Sequence, residues 1–404
     1  MIITLWVAWV IFAASVGYML VASFCLLKFK AKLSCFSRPQ SERLGVSLYK
    51  PLYGLDYGLK QNLLSFCRQD YPNYQVIFGV FDANDPAVPV VRDIIAACPD
   101  VDIALVINSW SNGENPKVSN LINMDEVAKH DVLVISDSDM RVEADYLNRI
   151  VAAFEPDNVG LVTCLYKGTP APGLASKLGA MFINQWFVPS ALIPATFAEQ
   201  QHCFGATMAI QRRVLNQIGG LKALVGNLAD DYTLGRLVRE AGFEVRLANV
   251  VIENIVEETS LNGLILHELR WARTIRSVEP LGFISTFITD TLPLGLALSL
   301  ISYLTNADEV WVVAPLVLAI ISRFLLHMST KTTFSSKHAD PFWIVPIRDM
   351  LSLLVRILCF AGKNVNWRDS ELSVNKGGQL HKPATGNRQN DDIKENTVPE
   401  SSVL

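Results

Sequence analysis

The sequence has little that is typical of a disulfide-rich, zinc-binding or nucleic-acid-binding protein. Its seven cysteines are scattered, odd in number and without a CxxC pair. This excludes a disulfide framework or structural zinc site and favours a reducing compartment. The net charge is only -4, so no basic surface for a nucleic acid is predicted. No internal repeat is present, and 404 residues leave room for one large domain plus membrane segments.

Charge is absent from the N-terminal segment, where the first 27 residues carry no charged side chain. This stretch is long enough to cross a bilayer, which takes ~20 apolar residues. A cleaved signal peptide would have a basic stretch before a shorter apolar core. Residues 1–27 are therefore predicted to be an uncleaved transmembrane anchor. The linker that follows, residues 28–45, has five Lys or Arg and a single acid, so the positive-inside rule places the large domain in the cytosol.

Three further apolar stretches lie near the C-terminus, at residues 281–304, 310–328 and 342–361. Together they make residues 281–361 a predicted set of C-terminal membrane segments. The last stretch contains Arg348, Asp349 and Arg356, which are costly in lipid unless they are paired or face a protein cavity. It could be a span, a re-entrant segment or an interfacial helix. The polar tail, residues 362–404, is predicted to be largely disordered.

Residues 46–280 show the alternation of apolar runs and helix-like stretches that is typical of an α/β domain. Strands are predicted at residues 46–53, 75–81, 101–107, 131–136, 159–166, 203–211 and 244–252. Helices are predicted at residues 57–68, 86–97, 117–129, 143–154, 231–241 and 260–278. The pattern implies a mostly parallel sheet with helices on both faces. The aromatic segment 171–201 is either a set of amphipathic helices at the membrane surface or core helices beneath the sheet.

Two aspartates follow buried strands: Asp82 in VIFGVFDAND and Asp137 in DVLVISDSD. Right-handed crossovers bring such strand ends to one edge, where open α/β sheets bind nucleotides. Asp137 and Asp139 are two residues apart, so in an extended chain they project to the same side and offer oxygen ligands to Mg²⁺ or Mn²⁺. A DxD sequence by itself is also common in solvated turns. Asp82 could accept a hydrogen bond from a uracil imide.

A further pair of acids, Asp230 and Asp231 in NLADDYTLG, begins a predicted helix. One acid at a helix start is expected to cap it, which assigns Asp230 as the cap and leaves Asp231 free for chemistry. A direct-displacement transferase needs one general base near the acceptor hydroxyl. Asp231 is the predicted base.

The sequence HELRWARTIR precedes the first C-terminal apolar stretch. Arg270 and Arg273 lie three residues apart on one helix and so share a face. The planar guanidinium of Arg270 suits contact with a leaving phosphate, and Trp271 could form a wall of the acceptor pocket. His267 either lines that pocket or fills a helix face. Taken alone, the motif would also fit an interfacial aromatic residue with snorkelling arginines.

A metal-diphosphate site, a base and a phosphate-binding arginine together indicate sugar transfer from a nucleotide. The motifs that carry this interpretation are VSLYKPLYGLD, VFDANDPAV, NPKVSNL, SDSDMRV, CFGATMAIQR, LADDYTLG and HELRWARTIR. In this order and spacing they resemble the ceramide glucosyltransferase branch of family 2-like glycosyltransferases, over about residues 1–370. Within that branch the sequence resembles the bacterial hopanoid-biosynthesis-associated glycosyltransferases.

The resemblance implies a GT-A fold, a UDP-sugar donor, a divalent metal (Mg²⁺ or Mn²⁺) and inversion at the anomeric carbon. It places Lys117, in NPK, in the donor site. It also implies uridine binding by Asp82, metal and diphosphate binding by Asp137 and Asp139, proton abstraction by Asp231, and completion of the site by Arg270 and Trp271. The fold class that follows is α/β, a GT-A type mostly parallel sheet with flanking helices plus N-terminal and C-terminal transmembrane helices.

Two features favour the hopanoid-type subgroup. His267 stands where the broader family has Gln or Arg, and Asp139 supplies an acid that the animal ceramide enzymes lack. The subgroup implies transfer of N-acetylglucosamine to bacteriohopanetetrol, by an integral protein of the bacterial inner membrane with a cytosolic catalytic domain. The alternatives are a ceramide glucosyltransferase using UDP-glucose, a processive polysaccharide synthase, for which the spans are few, and a non-catalytic membrane protein that binds nucleotide sugar.

Overall fold

The computed structural model describes residues 2–34, 44–334 and 341–361, with short strands at 364–367, 370–374, 380–381 and 402–403. Half of the predicted basic linker and most of the predicted tail lie outside the described residues. The chain forms two compact units. The sheet unit comprises residues 36–166, 199–255 and 363–404, and the helical unit comprises residues 1–35, 167–198 and 256–362.

The elements are numbered in chain order. The strands are β1 (Val46–Pro51), β2 (Tyr74–Val80), β3 (Asp102–Ile107), β4 (Val132–Ile135), β5 (Met140–Arg141), β6 (Val159–Pro170), β7 (Met208–Gln211), β8 (Glu244–Val256), β9 (Asn364–Trp367), β10 (Ser370–Val374), β11 (Leu380–His381) and β12 (Ser402–Val403). The α-helices are α1 (Ile2–Ser34), α2 (Leu59–Cys67), α3 (Ala87–Ala97), α4 (Pro116–Asp125), α5 (Tyr146–Ala152), α6 (Leu174–Phe182), α7 (Val188–Phe197), α8 (Arg212–Gln217), α9 (Asp230–Glu240), α10 (Leu261–Val278), α11 (Pro280–Ser285), α12 (Thr291–Leu304), α13 (Glu309–Phe334) and α14 (Val345–Leu358).

The main sheet is mixed, with strand order β12-β3-β2-β1-β4-β7-β6-β8-β5. Strands β3, β2, β1 and β4 are parallel to their neighbours, as the βαβα pattern predicts. Strand β7 then lies antiparallel between β4 and β6, so β4 and β6 still run in the same direction. The predicted α/β fold with flanking helices is confirmed, and Asp82 and Asp137 follow β2 and β4 in the parallel part of the sheet.

The parallel strands are buried on both faces because their sequences are apolar without alternation. Leu48, Val76 and Val134 pack into one hydrophobic core, while the intervening Tyr49 and Ile77 pack into the core on the opposite face. Leu48 is paired in register with both Val76 and Val134. This packing aligns the ends of β1, β2 and β4, from which the candidate site residues extend.

Two helices of the helical unit are long and apolar enough to cross a membrane, Leu5–Ser34 and Glu309–Phe334. A third span is possible if Pro280–Thr289 and Thr291–Leu304, which meet at a bend of 65°, count as one. Helix α1 packs against α7, α12 and α13. These helices coincide with the predicted N-terminal anchor and with two of the predicted C-terminal segments.

Helix α14 is shorter than the candidate spans, at 14 residues, and the charges in it are buried and paired. The pairs are Arg348 with Glu268, Arg323 with Asp349, and Arg356 with Asp290, at N···O distances of 2.6, 2.7 and 3.0 Å. Pairing satisfies the condition under which such charges are tolerated among apolar helices.

The aromatic segment 171–201 forms α6, a five-residue π-helix at Ile183–Phe187 and α7. Tyr18 of α1 and Ser190 of α7 share a hydrogen bond of 2.9 Å between their hydroxyl oxygens. The segment therefore packs among the apolar helices of the helical unit, which favours the membrane-associated interpretation.

Candidate active site

The acids that follow β4 lie beside a lysine from a different element. Lys117 is in the first turn of α4, which begins at a cap where the Asn115 side chain accepts a hydrogen bond from Val118 N. Its Nζ lies 2.8 Å from Asp137 Oδ1 and 3.3 Å from Asp230 Oδ2. Burial alone would lower the pKa of Lys117, but the two carboxylates outweigh it and raise the pKa, so the ammonium stays charged.

Asp231 is held by backbone donors. Its Oδ2 accepts a hydrogen bond from Gly205 N at 2.9 Å, and its Oδ1 accepts one from Tyr232 N at 2.7 Å. Burial and the charge of Asp230 raise the pKa of Asp231 to about 6, despite the lowering effect of Lys117. A carboxylate whose pKa lies near neutral pH can take a proton from a substrate and release it again to water, as a general base requires.

The predicted role of Asp230 as a helix cap is wrong. Helix α9 begins with Asp230 as its first residue, the preceding Ala229 occupies the cap position, and no side chain caps the helix. Asp230 is 6 % exposed and lies next to Lys117 instead. One lysine thus links the acid after β4 to the acids that begin α9.

The turn before β7 brings Gly205 to Asp231. The predicted strand 203–211 is shorter in the structure, because Phe204 and Thr207 pair across a tight turn and β7 begins only at Met208. A Cβ on Gly205 would lie 3.3 Å from Asp231 Oδ2 and 3.8 Å from Lys117 Nζ. Only glycine leaves this side of the carboxylate open.

A fully buried lysine lies beneath the acids after β4. Lys50, at the end of β1, donates a hydrogen bond to the main-chain oxygen of Asp137 and lies 3.7 Å from the centroid of the Phe66 ring. Burial lowers the pKa of Lys50 to about 7, against the raising effect of the nearby acids. Ser138 is the residue between the two acids of the DxD sequence, and its hydroxyl donates a hydrogen bond to Asp56. These contacts fix the backbone of the DxD turn.

Asp139 has one carboxylate oxygen paired and one unpaired. Its Oδ2 accepts a hydrogen bond from Asn254 Nδ2 at 2.7 Å, while its Oδ1 is buried without a partner. Burial and the charges of Asp137 and Asp56 raise the pKa of Asp139 to about 7. An unpaired buried oxygen beside a second carboxylate suits a cation, which would compensate the repulsion between them.

The protein supplies few ligands for such a cation. Among the described residues no cluster of three or more His, Cys, Asp or Glu side chains could hold a metal. Mg²⁺ is commonly held by one or two carboxylates together with substrate phosphates and water. Asp137 and Asp139 fit that mode, in which a diphosphate completes the coordination.

Asp82 lies just beyond the end of β2 with its side chain in a local turn. Its Oδ1 accepts hydrogen bonds from Asn84 N at 2.8 Å and Asn84 Nδ2 at 3.1 Å, and the residue is exposed. This position leaves a carboxylate at the sheet edge that a ligand can reach.

The motif HELRWARTIR forms part of α10 in the helical unit. His267 Nδ1 lies 2.5 Å from Glu258 Oε1, and the His267 ring contacts Trp271 edge-on with centroids 4.4 Å apart. Burial alone would raise the pKa of Glu258, but the bond to His267 outweighs it and lowers that pKa. Trp271 also stacks on Phe182 at 5.9 Å. Arg270 is partly buried on the same helix.

The structure brings Lys117, Asp137 and Asp231 together with Asp139 nearby in the sheet unit. It places His267, Arg270 and Trp271 together on one helix of the helical unit.

Sequence reasoning missed four residues of the site, Lys50, Asp56, Gly205 and Asn254. It also missed that Asp230 is a partner of Lys117. The signal for Lys50 was visible, because a lysine inside an apolar strand is almost never fully buried without a partner. Asn254 had no signal, since its role depends on β8 pairing with β5.

Strand-end acids, a lysine among them and a partly buried carboxylate with a raised pKa lie together in the α/β sheet unit, and the helical unit has helices long and apolar enough to cross a membrane. The sequence profile of glycosyl transferase family 21 matches residues 7–380. The chain belongs to this family and is a glycosyltransferase.

The names of two relatives agree with this assignment. The chain is 23% identical over 351 residues to ceramide glucosyltransferase 3 of Caenorhabditis elegans, covering 84% of this chain and 74% of the relative. It is 31% identical over 153 residues to the ceramide glucosyltransferase of Komagataella phaffii, covering 37% of this chain and 29% of the relative. Among solved structures, a mannosyltransferase from Pyrobaculum calidifontis in complex with GDP-Man and Mn²⁺ is 16% identical with a TM-score of 0.48, over 87% of this chain and 99% of that chain. That likeness is too remote to support a functional conclusion.

Proposed function

We propose that the protein transfers a single sugar from a UDP-sugar to a hydroxyl of a membrane lipid, with inversion at the anomeric carbon. The observation that carries this proposal is the Asp231 carboxylate, held by two backbone N–H donors beside the Lys117–Asp137 ion pair. Asp231 takes the proton of the acceptor hydroxyl while the oxygen of that hydroxyl attacks the anomeric carbon. The bond from that carbon to the diphosphate breaks, and UDP leaves with the electron pair.

The remaining residues of the sheet unit hold the donor. Asp82 receives the uracil imide, and Lys117 binds the diphosphate in exchange for part of its contact with Asp137. Asp137 and Asp139 would hold Mg²⁺ or Mn²⁺, which would supply positive charge to the departing diphosphate. Lys50 keeps the DxD turn in place from below through its bond to the Asp137 carbonyl oxygen.

Helix α10 carries three residues to which the family resemblance assigns contacts with the donor and the acceptor. Arg270 binds a phosphate of the donor through its planar guanidinium. Trp271 and His267, whose rings are in contact, form a wall of the acceptor pocket. Membrane attachment suits this chemistry, because the donor is dissolved in water and the acceptor resides in lipid.

Two donor and acceptor pairs are supported by different observations. Resemblance to the hopanoid-type subgroup, with His267 and the second acid Asp139, supports UDP-N-acetylglucosamine and bacteriohopanetetrol. The names of the relatives support a glucosyl donor, for which UDP-glucose is the candidate, and ceramide as the acceptor. Both pairs use the same base and the same diphosphate site, so they differ only in the groups that recognise the sugar and the lipid.

The basic residues after α1 support a cytosolic sheet unit, and the hopanoid resemblance supports the bacterial inner membrane as the location of the protein.

Two alternative functions predict different products. A processive synthase would use the same site but would release a polymer. A non-catalytic protein would bind UDP-sugar without product.

The test is a transfer assay with membranes that contain the full chain and Mn²⁺. UDP-N-acetylglucosamine and UDP-glucose are each offered with bacteriohopanetetrol and with ceramide, and mass spectrometry identifies the lipid products. We expect one singly glycosylated lipid, reduced by about 10²–10⁴-fold in Asp231→Asn and abolished by EDTA until the metal is restored. The pair that reacts identifies donor and acceptor. A polymer ladder, or full activity in Asp231→Asn, would refute the proposal.

A further inference from the structure

The motif helix α10 is fixed by a buried ion pair that lies outside the proposed catalytic machinery. Glu268, two residues before Arg270, has a side chain only 3% exposed, and its partner Arg348 on α14 is 2% exposed. The contact is bidentate, with Arg348 Nη1 to Glu268 Oε1 at 2.6 Å and Arg348 Nη2 to Glu268 Oε2 at 2.7 Å. Two parallel hydrogen bonds between planar groups fix orientation as well as distance.

The same guanidinium reaches a third helix. Arg348 Nη1 donates to the main-chain oxygen of Leu178 on α6 at 3.2 Å, and Nη2 donates to Ser352 Oγ on its own helix at 3.0 Å. Arg348 therefore joins α6, α10 and α14 at one point.

Arg348 also reaches Trp271 through aromatic rings. Its guanidinium lies 5.4 Å from the centroid of the Phe182 ring, and that ring stacks on Trp271 at 5.9 Å. Trp271 is thus constrained twice, through the helix that carries Glu268 and through the ring beneath it.

Net stability does not account for a pair of this kind. Removing two charges from water costs about as much as their attraction returns, and well-packed apolar residues often stabilise equally well. What apolar residues cannot reproduce is the fixed planar geometry. The pair of Arg356 with Asp290 provides a comparison, because it is buried in the same way while Arg356 donates its other hydrogen bonds to Thr286 and Thr289, which lie outside α10.

We propose that Glu268 and Arg348 are positioning residues for the transfer reaction, setting the rotation of α10 so that Arg270 and Trp271 meet the substrates. This inference rests on the roles proposed above for those two residues. It assigns α14 a part in catalysis although α14 supplies no group to the reacting atoms. Misplacement of reacting groups by about 1 Å costs on the order of 10²-fold in rate.

The experiment compares two variants that keep the site free of an unpaired charge. Glu268→Leu with Arg348→Met replaces the pair by apolar side chains, and Arg348→Lys keeps the charge but loses the planar fork. Each is purified in detergent, its melting temperature is measured, and kcat per folded molecule is determined with the donor and lipid that the wild-type protein uses. We expect melting temperatures close to wild type and kcat lowered about 10- to 100-fold. The control, Asp290→Leu with Arg356→Met, is expected to retain most of its kcat.

An unchanged kcat in either folded variant would overturn the proposal, and so would an equal loss in the control. Loss of the fold in both variants would show that the pair only holds the helices together, which also overturns it. Failure of the proposed function is distinguishable, since the wild-type protein would then transfer no sugar. Wild-type activity in both Arg270→Ala and Trp271→Ala would show that α10 supplies no group to the reaction, which would overturn the proposal as well.

Discussion

At the residue scale, the proposed role of Asp231 as the base predicts how the activity depends on pH. The folded-state pKa of Asp231 is about 6, raised by burial and by Asp230. A general base must be ionised, so kcat/KM should fall as the pH drops through about 6 and reach a plateau above it. Initial rates between pH 5 and 8 at saturating Mn²⁺ measure this profile. A flat profile over that range would contradict the assignment of Asp231 as the base.

Gly205 gives a second prediction at this scale, because its missing side chain leaves Asp231 accessible. Gly205→Ala places a methyl group 3.3 Å from Asp231 Oδ2, so the carboxylate must shift by a few tenths of an ångström. We expect kcat to fall about tenfold, which corresponds to ~1.4 kcal/mol, without a change in melting temperature.

The matched control for Gly205 is Gly226→Ala in the same unit. A Cβ on Gly226 would meet no atom within 4 Å, so kcat should remain at the wild-type value. Equal rates in the two variants would show that the space beside Asp231 is not needed for the reaction.

The residues of the site differ in how far the sequence predicts them. Asp137 and Asp231 are recognisable from an apolar strand that ends in acids and from two acids at a helix start. The role of Asp230 was predicted wrongly because a cap depends on whether the helix begins one residue earlier or later. Lys117 was assigned only through resemblance, since nothing in NPKVSNL shows that α4 points this lysine at Asp137.

At the element scale, helix α14 shows how charges are accommodated among apolar helices. Arg323 and Asp349 have side chains 3% and 11% exposed, and Gln185 Oε1 accepts a further hydrogen bond from Arg323 at 3.2 Å. The single variant Asp349→Leu leaves a buried guanidinium uncompensated and should lower the free energy of unfolding by about 3–5 kcal/mol. The double variant Arg323→Met with Asp349→Leu should recover most of that loss.

Thermal unfolding in detergent measures both variants. Glu240→Leu is the control, because Glu240 pairs with Arg236 at an exposed position and its loss should cost ~0.5 kcal/mol or less. If the double variant were as unstable as the single variant, the pair would contribute attraction beyond the cost of burying an unpaired charge.

Element types were more predictable than element ends. The apolar runs at the start of the sheet unit became β1, β2, β3 and β4 because an unbroken apolar run fits a strand covered on both faces. The strand predicted at 203–211 lost its first half to the turn at Phe204–Thr207. That turn is stabilised by a contact with a helix that follows it in sequence, which local patterns do not contain.

At the scale of the whole molecule, the chain combines an α/β sheet with helices that are long and apolar enough to cross a membrane. The basic residues after α1 predict that the sheet unit lies in the cytosol. Cys98 offers a direct test, because it is partly exposed whereas the other free cysteines among the described residues are buried. In a Cys35→Ser background, a membrane-impermeant maleimide should label inside-out vesicles but not intact cells. Labelling of intact cells at Cys98 would place the sheet unit on the opposite side.

The sequence by itself determined the α/β class, the apolar helices and the acids at the sheet edge, because these depend on local hydrophobic pattern and on where apolar runs stop. Only the tertiary structure decided that β7 enters the sheet antiparallel, that Gly205 donates to Asp231, and that Arg348 binds Glu268. Each of these contacts joins residues far apart in the chain. Their formation depends on packing and on burial of charge, which have no signature in a local stretch of sequence.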